Sequence, residues 1–152
     1  MRHAVIAAAF LLLAVSCSRP ASMESFVKSD GRDAYGRYPF ELQMDDSSSV
    51  YDISVMADMV CDKETFSSFE GFPLRVTYLA PSGERYAETV WLGSSALSGH
   101  SYFGRTLYAP YRSGLVPTEY GTWRLLVGVP DSLVARYRLS GIGIRIDRKK
   151  KN

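Results

Sequence analysis

Apolar residues at every odd position between 51 and 61 constrain the fold of this chain more than any other feature. Asp52, Ser54 and Asp58 lie at even positions, while every odd position is apolar. This period of two predicts a β-strand with one buried face, because successive side chains of a strand point to opposite sides. The buried face then includes Cys61, which we expect to be a core residue with an unreactive thiol. The apolar positions are Tyr51, Ile53, Val55, Ala57, Met59 and Cys61.

Similar alternation predicts further strands in residues 37–44, 74–79, 85–92, 123–129 and 142–146. Pro39 confines the first of these to a sheet edge or to a strand start. Residues 80–83 (Ala-Pro-Ser-Gly) predict the turn of a hairpin. Gly141 and Gly143 lie opposite the apolar face of the last strand, where a neighbouring chain should come close. Since aromatic residues make up 12% of the chain, we predict one antiparallel β-sandwich domain of six to eight strands over residues 35–148.

Two connections between these strands have helical features. Phe66, Phe69 and Phe72 recur at every third position, which favours a short helical turn that covers the edge of the core. An exposed aromatic binding patch is the alternative. Residues 130–137 begin with Pro-Asp-Ser and predict a second short helix.

The N-terminus has the features of a bacterial export signal. Arg2 and His3 precede an apolar run over residues 4–15, which is too short to cross a bilayer, and small Ser16 precedes Cys17. Residues 13–17 (Leu-Ala-Val-Ser-Cys) resemble the lipobox of bacterial lipoproteins. We therefore predict a signal peptide over residues 1–16, cleaved before Cys17, and lipidation of Cys17 that anchors the chain to a membrane. A plain secretory signal is the alternative.

The composition on either side of the domain suggests where the protein lies. Residues 17–34 are polar without an apolar period, so we predict a flexible tether. The absence of an acidic cluster after Cys17 favours the cell envelope, at the outer membrane facing the periplasm. Residues 149–152 form a basic tail. No basic stripe interleaved with aromatic residues runs through the chain, so nucleic acid is not an expected partner.

The sequence offers few groups for catalysis. Cys61 and His100 are the only cysteine and histidine beyond residue 17, and Cys61 falls on a buried strand face. No Gly-x-Ser-x-Gly elbow accompanies His100, and the acidic residues do not form a calcium-loop pattern. Carboxylate pairs between strands that involve Glu88 stay open. We expect a protein that is not an enzyme and that holds neither a metal nor a cofactor.

The segment over residues 93–121 is the least regular and the richest in binding groups. We expect a long loop with a short strand around residues 105–109. Tyrosine and arginine side chains of this type stack on sugars or bind acidic partners. The candidate glycan-binding residues are Tyr102, Arg105, Tyr108, Tyr111 and Arg112. The alternative is that these side chains pack over the edge of the sandwich.

Several segments occur in an order that is similar to a known family. They are residues 51–60, 72–83, 86–90, 109–112, 119–123 and 139–146. In this order they resemble the central and C-terminal parts of the GldH-type gliding-motility lipoproteins of Bacteroidetes. The resemblance implies a membrane-anchored, non-enzymatic protein associated with gliding and secretion machinery, in contact with other envelope proteins. It implies no catalytic residues.

Overall fold

A computed structural model describes residues 20–151, which form two antiparallel sheets packed face to face. This confirms the predicted β-sandwich, although residues 20–151 contain nine strands and not the six to eight that were expected. The predicted signal peptide and the predicted lipidation site Cys17 lie outside the described residues. The strands are β1 (Ser22–Lys28), β2 (Arg37–Met44), β3 (Ser49–Val60), β4 (Gly71–Leu79), β5 (Arg85–Gly93), β6 (Leu97–His100), β7 (Gly104–Leu115), β8 (Gly121–Gly128) and β9 (Leu139–Lys150).

The first sheet has the strand order β1-β9-β3-β7-β6, and the second has the order β2-β8-β4-β5. The core between the sheets contains the odd-numbered side chains of β3 together with apolar residues of β2, β4, β8 and β9. The alternation of residues 51–61 is thereby confirmed, and Cys61 is buried as expected. Edge strand β2 contains Pro39, also as expected, because a proline lacks the N–H that a central strand needs.

The predicted tether is wrong from Ser22 onward. Residues 22–28 form β1, which pairs antiparallel with β9 from Ser22 opposite Asp147 to Lys28 opposite Gly141. The β1 side chains are mostly exposed, so apolar alternation could not identify this strand. The strand is added at the sheet edge through its backbone, and Phe26 packs on the glycines of β9.

The predicted basic tail is in part a strand. Strand β9 continues to Lys150, and Lys149 forms an ion pair with Asp52 on the neighbouring β3. The end of the chain is therefore held by the sheet ladder up to this point.

The hairpin between β4 and β5 turns at the predicted residues 80–83. Ala80 accepts a hydrogen bond from the Gly83 N–H at 2.9 Å, and Gly83 has a φ of 93°. A glycine at this position is favoured, because a left-handed backbone conformation strains residues with a side chain.

Both predicted helical connections are present as α1 (Lys63–Ser67) and α2 (Asp131–Arg136). Phe69 and Phe72 are buried, and Phe66 packs partly buried against them. The ring of Tyr137, which follows α2, meets the ring of Phe69 edge to face at 4.9 Å. The helical turn over the core edge is confirmed, and the exposed aromatic patch is not found there.

Residues 93–121 are more regular than the sequence predicts. They contain β6 and the 12-residue strand β7 in place of one short strand. The residues that lie between them, 101–103, form the tip of a hairpin. Five residues, 116–120, then connect β7 to β8 in the other sheet.

The turns and short helices that connect the strands lie at two opposite ends of the sandwich. The proximal end is the end at which β1 begins, and it includes the turns at residues 45–48, 80–84 and 116–120. The distal end includes the hairpin tip at residues 101–103 and the two short helices.

Candidate binding cleft

A cleft of about 350 Å³ lies between the edge strand β5 of one sheet and β7 of the other, at the proximal end. Its apolar side includes Met44, Leu115 and Trp123, and its polar side includes Glu88 and Arg112. A concave, mostly apolar site with a few converging polar groups is the usual form of a small-ligand site. We refer to this site as the β5–β7 cleft.

A β-bulge in β7 brings two neighbouring side chains, Tyr111 and the cleft residue Arg112, to the same side of the strand. Ser54 of β3 lies opposite Pro110, whereas the preceding Ile53 lies opposite Arg112, so Tyr111 is an extra residue. In a regular strand Tyr111 and Arg112 would point to opposite faces. The bulge redirects the chain, and both side chains bind the same carboxylate.

Glu88 of β5 is that carboxylate. The Tyr111 hydroxyl donates a hydrogen bond to Glu88 Oε1, and Arg112 Nη2 lies 2.5 Å from the same oxygen. These contacts link the two sheets where the sandwich is open. Burial and the bond to Glu88 raise the pKa of Tyr111, so the hydroxyl stays protonated. Burial acts to lower the pKa of Arg112, but the Glu88 contact outweighs it and the pKa is raised.

Tyr78 of β4 lies beneath this group. Its ring is nearly parallel to that of Tyr111, with centroids 6.2 Å apart. Its buried hydroxyl has no hydrogen-bond partner among residues 20–151. Burial raises the pKa of Tyr78 to about 12. A buried hydroxyl without a partner carries a free-energy penalty.

Aromatic rings also line the cleft. The ring centroids of Tyr86 and Trp123 are 6.3 Å apart at an interplanar angle of 29°. Trp123 Nε1 donates to the Glu119 carbonyl at 2.9 Å, and Glu119 accepts hydrogen bonds from the backbone N–H and hydroxyl of Ser82. The loop at residues 116–120 is thereby tied to the turn at residues 80–84, so the rim of the cleft is held in place.

The structure brings two of the five predicted binding residues together and separates the other three. Tyr111 and Arg112 meet at Glu88. Tyr108 lies on the outer face of its sheet, and Tyr102 is 81% exposed at the distal hairpin tip.

Arg105 is a structural residue in the described part of the chain. It is only 6% exposed, and its guanidinium donates to the carbonyls of Ser101 and Gly104 at 2.5 and 2.8 Å. The same group lies 5.6 Å from the ring centroid of Phe66. It therefore stabilises the β6–β7 hairpin against α1.

Sequence reasoning missed Tyr78, Tyr86 and Trp123 as cleft residues and left Glu88 undecided. One signal was present, since Glu88 lies on the same strand face as Val90 and Leu92. A carboxylate on an inward face requires a partner from another element. Which element supplies that partner depends on the packing of the two sheets.

The described residues include no group of three or more His, Cys, Asp or Glu side chains placed to hold a metal ion. No helix within residues 20–151 is long and apolar enough to span a membrane. Burial raises the pKa of the Cys61 thiol.

No protein family matches this sequence, and no curated protein is detectably similar to it. Among solved structures, a protein from Sulfurospirillum deleyianum aligns with 88% of this chain and 100% of its own, at 9% identity and a TM-score of 0.37. Dimeric latent PorU from Porphyromonas gingivalis aligns with 86% of this chain and 13% of its own, at 11% identity and a TM-score of 0.34. A xylan-binding domain from CBM 22 aligns with 88% of this chain and 86% of its own, at 17% identity and a TM-score of 0.30. Likenesses at these TM-scores carry no inference about function.

Proposed function

We propose that this chain is a lipid-anchored, non-catalytic binding protein of the cell envelope that takes its ligand in the β5–β7 cleft. The observation that carries the proposal is the convergence of Glu88, Tyr111 and Arg112 at the open side of the sandwich. The anchor at Cys17 and the periplasm-facing outer membrane location come from the sequence.

The chemistry of the cleft supports binding. Glu88 accepts two hydrogen bonds from fixed donors, and the hydroxyl of Tyr111 stays protonated because its pKa is raised. A hydroxyl that stays protonated suits the recognition of a ligand and does not suit proton transfer, which needs a pKa near the working pH.

A glycan is the ligand class that the cleft fits best. Aromatic rings stack on the apolar faces of sugars, while carboxylate, guanidinium and tyrosine groups bind sugar hydroxyls. The cleft lining combines the rings of Tyr86 and Trp123 with the charged groups of Glu88 and Arg112.

The second candidate function is that of an accessory or subunit of a gliding or secretion assembly, in the manner of the GldH-type lipoproteins. The observation that favours it is the distal hairpin tip. The rings of Tyr102 and Phe103 meet at 4.5 Å and are 81% and 62% exposed. Exposed aromatic pairs are enriched at protein interfaces.

Intact-mass analysis of the membrane fraction tests the anchor. The wild-type protein should carry acyl chains and begin at Cys17, and Cys17→Ser should be soluble and unacylated. Protection of the acylated protein from protease added to whole cells would support the periplasmic location. An unacylated wild-type protein would refute the lipoprotein proposal.

A glycan array with the soluble Cys17→Ser form, followed by titration calorimetry, tests the cleft. Arg112→Ala should weaken binding at least about tenfold, since a charged hydrogen bond contributes about 1.5–3 kcal/mol. Tyr102→Ala is the matched control because it removes an aromatic ring at the other end of the sandwich. Binding that is lost in Tyr102→Ala and kept in Arg112→Ala would place the ligand outside the cleft. Crosslinking of a partner that depends on Tyr102 and Phe103 would favour the second candidate.

A further inference from the structure

Strand β1 fixes where the anchored chain enters the folded domain. The backbone N–H of Arg148 donates to the Ala21 carbonyl at 2.7 Å, and from Ser22 onward every β1 residue has a partner on β9. The domain is thus held at Ala21, at the proximal end. The side chains around this point include Gln43, Tyr51 and Ile146.

Very little chain separates this point from the anchor. Four residues lead from Cys17 to Ala21, and in any conformation they span at most about 14 Å. Strand β3, which runs from the proximal to the distal end, has 12 residues and so measures about 40 Å. Residues 17–21, the anchor segment, are much shorter than the domain. The proximal end therefore stays near the lipid.

We propose that the proximal end of the sandwich, at which the β5–β7 cleft lies, rests against the lipid surface while the distal hairpin tip points away from it. This inference rests on the proposed acylation of Cys17. Beyond the proposed function, it specifies how the domain is oriented and which of its surfaces faces the lipid. It also implies that the ligand of the cleft comes from the membrane side.

Two lysines at the proximal end are placed to contact anionic headgroups. Lys150 and Lys151 are exposed there, and the Lys151 N–H bonds the Ser48 carbonyl at 3.0 Å. Two nearby carboxylates face cations of the fold, Asp52 with Lys149 and Asp46 with Arg148 at 3.8 Å. The exposed acidic residues Asp45 and Glu84 lie in turns of the same end. Lysines close to an anionic membrane surface are attracted to it.

The orientation also explains the positions of the two candidate binding features. The turn at residues 116–120 forms the rim of the cleft and lies at the proximal end, as the pairing of Tyr51 with Leu115 shows. The cleft would receive a ligand displayed at the membrane. The exposed rings of Tyr102 and Phe103 would face a partner in the aqueous space.

Depth-dependent fluorescence quenching tests the proposal. The acylated full-length protein, extracted from membranes, carries a fluorophore at Ser47→Cys or at Tyr102→Cys, while the buried Cys61 stays unlabelled. It is reconstituted into vesicles of phosphatidylcholine and phosphatidylglycerol that contain a lipid with a nitroxide on its headgroup. We expect the label at position 47 to be quenched several-fold more than the label at position 102.

Two control variants sharpen the result. A long Gly-Ser insertion between Ser18 and Arg19 should reduce the difference between the two labels, because the anchor segment then no longer restrains the domain. Lys150→Glu with Lys151→Glu should reduce quenching at position 47 in anionic vesicles and leave it unchanged in vesicles of phosphatidylcholine alone.

Equal quenching of the two labels would show that the domain lies flat, and stronger quenching at position 102 would show the reverse orientation. Either result overturns this inference and leaves the proposed anchor and cleft intact. A protein that carries no acyl chain in the mass analysis overturns the proposed function, and this inference with it.

Discussion

The phenyl ring of Phe26 lies over the α-carbon of Gly141, so that a β-carbon added to Gly141 would stand 2.6 Å from two carbons of the ring and 2.4 Å from the Val27 carbonyl oxygen. The neighbouring Gly143 is covered by the same ring and by Met56. This relationship is what allows β1 to pair closely with β9. A large aromatic side chain on an edge strand takes the space that two glycines leave on the next strand.

Gly141→Ala should therefore destabilise the domain by about 1–3 kcal/mol, the usual cost of forcing an extra carbon into a packed site. Urea unfolding measures this change. Gly99→Ala is the matched control, because the nearest atom to its added β-carbon is at 3.8 Å. Since the Val27 carbonyl remains in place, adding Phe26→Ala to Gly141→Ala should not restore full stability. Equal stability of Gly141→Ala and Gly99→Ala would contradict the close packing of β1.

Tyr111→Phe should lower the free energy of unfolding by about 1 kcal/mol, because it removes the hydroxyl that bonds Glu88 between the two sheets. The ring and its stacking on Tyr78 stay in place. Tyr108→Phe is the matched control on the outer face of the same strand, and it should have little effect. A loss of stability in Tyr108→Phe as large as that in Tyr111→Phe would argue against the inter-sheet contact.

Asp46 should make stability depend on pH in the acidic range. Hydrogen bonds from Ser48 and Ser49 lower the pKa of its carboxyl group from 3.8 to about 2. A lowered pKa means that the folded state favours the carboxylate, so the contribution is complete above about pH 4 and is lost as the pH falls toward 2. The difference in unfolding free energy between wild type and Asp46→Ala should shrink over this range. Ser48→Ala, which removes one donor at 2.6 Å, should abolish part of the same dependence.

Cys61 should be inert in the native protein. It is buried, and burial raises the pKa of its thiol, so the reactive thiolate is scarce at neutral pH. In the Cys17→Ser form, a thiol reagent should label Cys61 only after denaturant is added. Rapid labelling of one thiol without denaturant would show that the end of β3 opens easily.

The strands of the core could be predicted from the sequence because each buries one face. The alternation in β3, β8 and β9 records a contact with the opposite sheet, and a contact of this kind leaves a period of two in the residues. The edge position of β2 and the turn at residues 80–83 could also be predicted from the sequence. Pro39 lacks the backbone N–H that a central strand needs, and Gly83 readily adopts a positive φ.

Strand β1 and the candidate cleft could not be predicted in this way. The β1 residues bury little surface, and their place is decided by the room above Gly141 and Gly143. The five tyrosine and arginine residues proposed for binding were chosen by composition, which cannot distinguish the buried Arg105 from the cleft residue Arg112.

The sequence by itself determined that the chain forms an antiparallel sandwich with Cys61 in its core, because hydrophobic burial on one face of a strand is a local property of the residues. The tertiary structure alone decided that Tyr111 and Arg112 share the carboxylate of Glu88 and that the chain enters the domain at Ala21. The contacts with Glu88 depend on the bulge in β7 and on the edge strand β5 of the other sheet. The entry of the chain at Ala21 depends on the pairing of β1 with β9, which are far apart in the sequence. No period or motif of the sequence records such a relationship, because its cause is the packing of the two sheets.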